Sequence, residues 1–243
     1  MLERITSKND RKAELVQLEN APRLQCLAMA SQHTQRDHLK RVSAEEQNAL
    51  ETRLEEISRP SMEFFILLSF STIIALLGLF QNSAAVIIGA MIIAPLMRPL
   101  MGLALGCISA DSRLVKRSLM TVIFGTFCGM GIAYSGASVL SSIQLTAEIM
   151  GRTHPTLLDL GVALAAGAIG AYCQSKEEIR DTLAGVAIAV ALVPPLSVIG
   201  IGLARGSFAV ASGAALLYAT NLIGITIAAA FVLLVMGYSP LNR

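Results

Sequence analysis

Charge is scarce in this sequence. Of 243 residues, 15% are Asp, Glu, Lys or Arg while 54% are hydrophobic, against roughly 25% charged in a typical soluble domain. Mean hydropathy is +0.63, which excludes a soluble globule and indicates an integral membrane protein. A net charge of +2 is too small to argue for a nucleic-acid partner. Histidine is scarce too: His33, His38 and His154 all lie outside the apolar segments. There is no HExxH, no GxSxG and no carboxylate pair within an apolar segment, so the chain reads as no enzyme. The four cysteines, Cys26, Cys107, Cys128 and Cys173, form no CxxC and no Cys/His cluster, so no metal or cofactor is expected. Cys107 and Cys128 read as small apolar filler. No apolar stretch lies near the charged start, so no cleavable signal peptide is expected.

The few charges are unevenly placed. Residues 1–61 hold ten of the 19 Lys+Arg and ten of the 17 Asp+Glu. The chain therefore divides into a polar N-terminal segment, 1–60, expected to be helical and cytoplasmic, and a transmembrane domain, 61–243. Within the first, Ser43-Ala-Glu-Glu46 is a capping box, and Leu50, Leu54 and Ile57 form a stripe at helical spacing. Arg59-Pro60 ends that helix, because a residue before proline leaves the α region. The helix is expected at the cytoplasmic surface or on a neighbouring subunit, or else as a solvated connector.

Six hydrophobic segments follow: Met62–Phe80, Ala84–Ala110, Ser118–Leu140, Thr156–Tyr172, Thr182–Ala204 and Ser207–Gly237. A span needs roughly 20 apolar residues. The second segment has that length, but Pro95, Arg98 and Pro99 interrupt it. Each proline removes a backbone donor and clashes with the preceding turn, and freed backbone groups at membrane depth survive only inside protein or beside water. The fifth segment carries Pro194-Pro195 at the corresponding place. Shifted by one hundred residues, Ala184–Gly206 matches Ala84–Gly106 at Ala84, Val86, Ile88, Pro95, Leu96, Gly102, Leu103, Ala104 and Gly106. With the N-terminus inside, Arg113, Lys116, Arg117, Lys176 and Arg180 fall in inside loops and only Arg152 and Arg205 in outside loops, which satisfies the positive-inside bias. Both termini are then cytoplasmic, and the two broken segments run in opposite directions. The expected fold is an all-α membrane protein of two inverted three-segment repeats, about 61–140 and 156–237, with proline-broken helices.

Inverted repeats with broken helices point to a solute site, since half-helix ends expose orphan donors and carbonyls. Pro99 suits the first position of a new half-helix. The expected binding set is Arg98 with Pro95, Pro99, Pro194 and Pro195 at the breaks, and Ser197, Thr220 and Asn221 as polar neighbours. Arg98 favours an anion, and on that reading Arg98→Ala lowers uptake. Alternatives are an Arg98 locked to Asp159 or Glu63, Thr220 and Asn221 bonding only across helices, and a cation held by free carbonyls. The function read from the residues is a transporter or channel for a small solute or ion. The alternative is a non-transporting scaffold or sensor whose N-terminal helix binds a partner. Glycine pairs at four-residue spacing (Gly102/Gly106, Gly125/Gly129, Gly202/Gly206) let helices approach closely, and a homo-oligomer in the bilayer is expected.

The run Ile88-Gly89-Ala90-Met91-Ile92-Ile93-Ala94-Pro95-Leu96-Met97-Arg98-Pro99, followed by Gly102 and Asp111, resembles the signature of a bacterial uncharacterised hydrophobic domain, domain of unknown function 389. Val193-Pro194-Pro195 with Gly200 is similar to that family's second motif. The resemblance covers about Ser61–Gly237. It implies a multi-span domain in the bacterial inner (plasma) membrane and brings no activity. Many members have a longer soluble domain, whereas this chain has a short helical N-terminal segment.

Overall fold

The computed structural model describes residues 50, 52–55, 58–140, 142, 144–175 and 192–238. The expected capping box at Ser43–Glu46, Ile57 and the first half of the fifth segment lie outside these. Among the described residues every regular element is a helix: α1 (Met62–Phe80), α2 (Ala84–Ile93), α3 (Met97–Ile108), α4 (Ser112–Val139), the short α5 (Ala147–Met150), α6 (Leu157–Ser175), α7 (Val193–Ala204) and α8 (Phe208–Val235). Four of them, α1, α4, α6 and α8, are long and apolar enough to cross a membrane, and α2 with α3 would make a fifth, bent span. Large apolar side chains such as Phe70, Phe127 and Phe231 stand exposed on the long helices, as lipid-facing positions should. In α7, by contrast, every residue from Val193 to Gly202 is buried. The chain has the build of a membrane protein.

The second segment breaks where its prolines predict. Pro95 has no N–H to give the carbonyl of Met91, and Ala94 N donates there instead at 3.3 Å. The orphaned carbonyl of Ala90 accepts from Ser71 Oγ on α1 at 2.7 Å. Chain direction changes by 54° across the break. The new helix starts at Met97, not Pro99. Pro99 fits in its first turn because N–H groups there have no intrahelical acceptor to lose.

Helix directions follow from the glycine contacts. A Cβ on Gly102 would meet Ser118 and one on Gly106 would meet Val115, so α3 runs against α4. Gly129 meets Leu196, and Gly200 meets Met130, Ala133 and Tyr134, so α7 runs with α4. The two helices that follow the proline motifs, α3 and α7, therefore run oppositely. In the same way α1 runs with α4 (Phe64 at Gly125, Leu76 at Gly136) and α6 runs with α8 (Thr153 at Gly213, Ala163 at Gly224). A hydroxyl pair, Thr126 and Tyr218 at 2.6 Å, joins α4 to α8.

Element boundaries recur at a spacing of 96 residues, not 100. Helices α3 and α7 are both 12 residues long and begin at Met97 and Val193. Helices α4 and α8 are both 28 residues long and begin at Ser112 and Phe208, while α1 and α6 are both 19. Ala110 and Gly206 share a left-handed backbone, φ 55 and φ 65. In this register Pro195 answers Pro99 rather than Pro95, and Arg98 answers Pro194. The difference of four residues is close to one helical turn, which keeps the same face apolar, so residue matching alone slides easily by that amount. The left-handed bend is costly for alanine and free for glycine. Ala110→Gly is accordingly expected to raise stability by up to about 1 kcal/mol, read as an upward shift of the thermal midpoint in detergent.

Leu50 and Leu54 are buried in the same core as the membrane helices. Thr121 Oγ1 donates to the Ser58 carbonyl at 2.7 Å, and Arg117 pairs with Glu55. The stripe expected at the surface or on a neighbouring subunit thus packs within its own chain at Leu50 and Leu54, and α3 and α4 offer it polar anchors at Ser58 and Glu55.

Candidate functional site

A cavity of about 410 Å³ opens between the α5 region, the starts of α6 and α7, the middle of α8 and the end of α2. Pro194 and Pro195 line it at the start of α7, and Met91, one turn before the first break, lines it from α2. Leu217 and Asn221 of α8 face it across one turn of helix, and Asn221 is only 5% exposed. Of the expected set, then, the structure brings together Pro194, Pro195 and Asn221.

The others lie outside that lining. Pro95 and Pro99 are buried, while Arg98 is exposed. Among the described residues its guanidinium has no ion-pair partner; only its backbone carbonyl is engaged, by Ser58 Oγ at 3.4 Å. The lock to Asp159 or Glu63 does not form. Asp159 instead accepts from Thr156 N at 2.7 Å and Thr156 Oγ1 at 2.6 Å. Ser197 is fully buried on α7, with no hydrogen-bond partner for its hydroxyl among the described residues. Thr220 is half-buried beside Asn221.

The charges at the cavity lie outside the expected binding set. Arg152 Nη1 meets Glu148 Oε2 at 2.6 Å, four residues apart, with the side chains 20% and 26% exposed. The same nitrogen also donates to the Glu148 carbonyl. Asp159 lines the same cavity. Its Oδ2 takes both Thr156 bonds, which leaves Oδ1 without a protein donor among the described residues. An ionised carboxylate can accept about four hydrogen bonds, so Asp159 keeps capacity for a ligand. One cation and two carboxylates give the lining a net charge of about −1. Two signals were present in the sequence: Glu148 and Arg152 at i,i+4 spacing, and Thr156-x-x-Asp159 as a capping box.

The family described as a domain of unknown function (DUF389) matches residues 91–227. An uncharacterised protein of Methanocaldococcus jannaschii is 30% identical over 185 residues, 76% of this chain and 58% of that protein. The chain thus spans well under two thirds of that relative's length. No solved structure matches. The matched region runs from the end of α2 to the middle of α8 and takes in both proline motifs, Arg152, Asp159 and Asn221, and the chain belongs to the DUF389 family.

Proposed function

We propose that the protein passes a small polar solute across the membrane through this cavity, and that the chain is built of two inverted three-segment repeats. The carrying observation is the cavity itself: charged and amide side chains gathered among apolar helices, between the proline pair of α7 and the last turn before the break of α2. Charge gathered at the entrance to a membrane bundle, where Asp159 stands in the first turn of α6, suits a solute pathway or site. The opposed directions of α3 and α7 and the recurring helix lengths support the inverted-repeat reading. We place the protein in the cell membrane with both termini cytoplasmic, from the Lys/Arg distribution.

The sign of the lining now favours a solute bearing positive charge, a cation or zwitterion, over the anion that Arg98 suggested. Arg152 is already matched by Glu148, and Asp159 remains. Uptake into proteoliposomes, measured against a panel of small cations, zwitterions and anions, tests this; flux of none of the three classes would defeat the passage reading. A ranking of variants separates the two sites. Asn221→Leu is expected to lower initial uptake at least tenfold, and Arg98→Ala less than threefold. The reverse ranking would return the site to Arg98.

A further inference from the structure

The repeat does not begin at the first span. At a spacing of 95 residues Leu50, Leu54, Ser58, Pro60 and Ser61 answer Leu145, Ile149, Thr153, Pro155 and Thr156. The correspondence is structural as well as compositional. Leu54 and Ile149 are both fully buried, and Ser58 and Thr153 are both buried hydroxyls. Ser61 Oγ accepts from Phe64 N at 3.1 Å, and Thr156 Oγ1 accepts from Asp159 N at 3.3 Å. Each first helix of a repeat is thus entered through the same proline-hydroxyl turn. Phe64 and Asp159 fill the same helical position.

The lining can therefore be carried residue by residue onto the first repeat. Asp159 becomes Phe64, Asn221 becomes Gly125, Leu217 becomes Thr121, and Pro194-Pro195 become Arg98-Pro99. There the space is closed. Phe64 is 3% exposed, and its ring lies 3.1 Å from where a Cβ on Gly125 would stand. Ser58 is bonded into both walls, donating to the Arg98 carbonyl on α3 and accepting from Thr121 on α4. Gly102 has no side chain, which leaves Ser58 its room. In the second repeat the answering hydroxyl, Thr153, donates to the Met150 carbonyl of its own turn at 2.7 Å. Carboxylate and amide stand where ring and glycine close the first copy.

We propose that the first repeat holds a second, closed copy of the cavity, and that Phe64 and the bonded Ser58 are the plug that shuts it. This rests on the inverted-repeat reading given under the proposed function. Because the repeats run oppositely, the closed copy opens toward the face opposite the open one, and release of the plug gives the solute its second access.

Thiol labelling tests the plug without any solute. In a background with Cys26, Cys107, Cys128 and Cys173 changed to serine, Val162→Cys reports the open cavity and Leu67→Cys, its answering position, reports the closed one. A water-soluble, membrane-impermeant thiol reagent reacts with thiolate, which forms only where water reaches. With the plug intact, Leu67→Cys is expected to label at least tenfold more slowly than Val162→Cys. Adding Phe64→Ala should raise Leu67→Cys labelling at least tenfold. Adding Thr121→Val, which keeps the volume and removes the hydroxyl's bond to the Ser58 carbonyl along with one to the Arg117 carbonyl of its own helix, should raise it about threefold and carries the test if Phe64→Ala does not fold. Equal labelling at the two positions with the plug intact, or no acceleration in a folded opening variant, overturns the proposal. A wild-type protein that moves no solute but shows the expected labelling would count against passage and for the plug.

Discussion

Gly167→Val is expected to prevent the protein from assembling as a stable fold, lowering its thermal midpoint in detergent by about 10 °C or more, whereas Gly161→Val, six residues earlier on the same helix, should change it by no more than about 2 °C. A Cβ on Gly167 would stand 2.8 Å from Ile225 Cα and 2.9 Å from its carbonyl carbon. Both are backbone atoms, so no rotamer change makes room. The helices must separate, and α6 with α8 is the most extensive helix pair in the bundle. In a membrane, helices gain little from leaving lipid for each other, so close van der Waals fit carries their association. Overpacking a tight contact costs about 1–3 kcal/mol even where side chains can adjust, and here they cannot. Gly161 has nothing within 4 Å of its Cβ position, so the control tests helix propensity alone. Similar midpoints for the two variants would show that α6 and α8 do not meet at Gly167. Gly213→Val should behave like Gly167→Val, since its Cβ would stand 2.9 Å from the Thr153 carbonyl carbon.

How much of this was legible varies with the chemistry of the signal. Long apolar stretches announce helices, and Pro95 announces a break, because a missing donor acts whatever surrounds it. Register was harder. Nine identities supported a shift of one hundred residues, yet the helix ends recur at 96. Leu, Ala and Gly recur around every helical turn, so their coincidences are cheap. The polar turns are a better ruler. Ser58-x-Pro60-Ser61 and Thr153-x-Pro155-Thr156 were readable as a pair, and so were the N-cap positions Asp111 and Ser207, whose backbone N–H groups close one helix just before the next begins. Arg98 misled for a related reason. Its place among apolar residues suggests depth and enclosure, but the 54° bend at Ala94–Leu96 and the start of α3 turn its side chain outward. Arg152, by contrast, sits between spans in sequence and entered only as an outside-loop charge, although α5 and the turn after it carry it and Glu148 to the cavity.

Asp159→Asn should lower uptake of a positively charged solute by tenfold to a hundredfold while leaving the fold intact. The substitution keeps an oxygen that can accept from Thr156 N and Oγ1, so the helix start loses well under the roughly 1 kcal/mol that removal of a cap costs. What it removes is one unit of negative charge. Opposite charges 4 Å apart interact by about 4 kcal/mol at an effective dielectric of 20. Arg152 cannot take over that role, and its pairing with Glu148 leaves Asp159 as the uncompensated charge of the lining. Partial screening at a half-exposed carboxylate brings the expected loss down to about 1.4–2.8 kcal/mol, one or two factors of ten. Glu148→Gln should act through a different route, freeing Arg152 and shifting preference toward anions rather than lowering every flux. Initial rates for one cation and one anion of similar size, measured for wild type and both variants in the same vesicles, separate the effects. A uniform fall for both solutes in Asp159→Asn would mean that the carboxylate shapes the cavity without selecting by charge, and an unchanged cation rate would remove it from the path altogether.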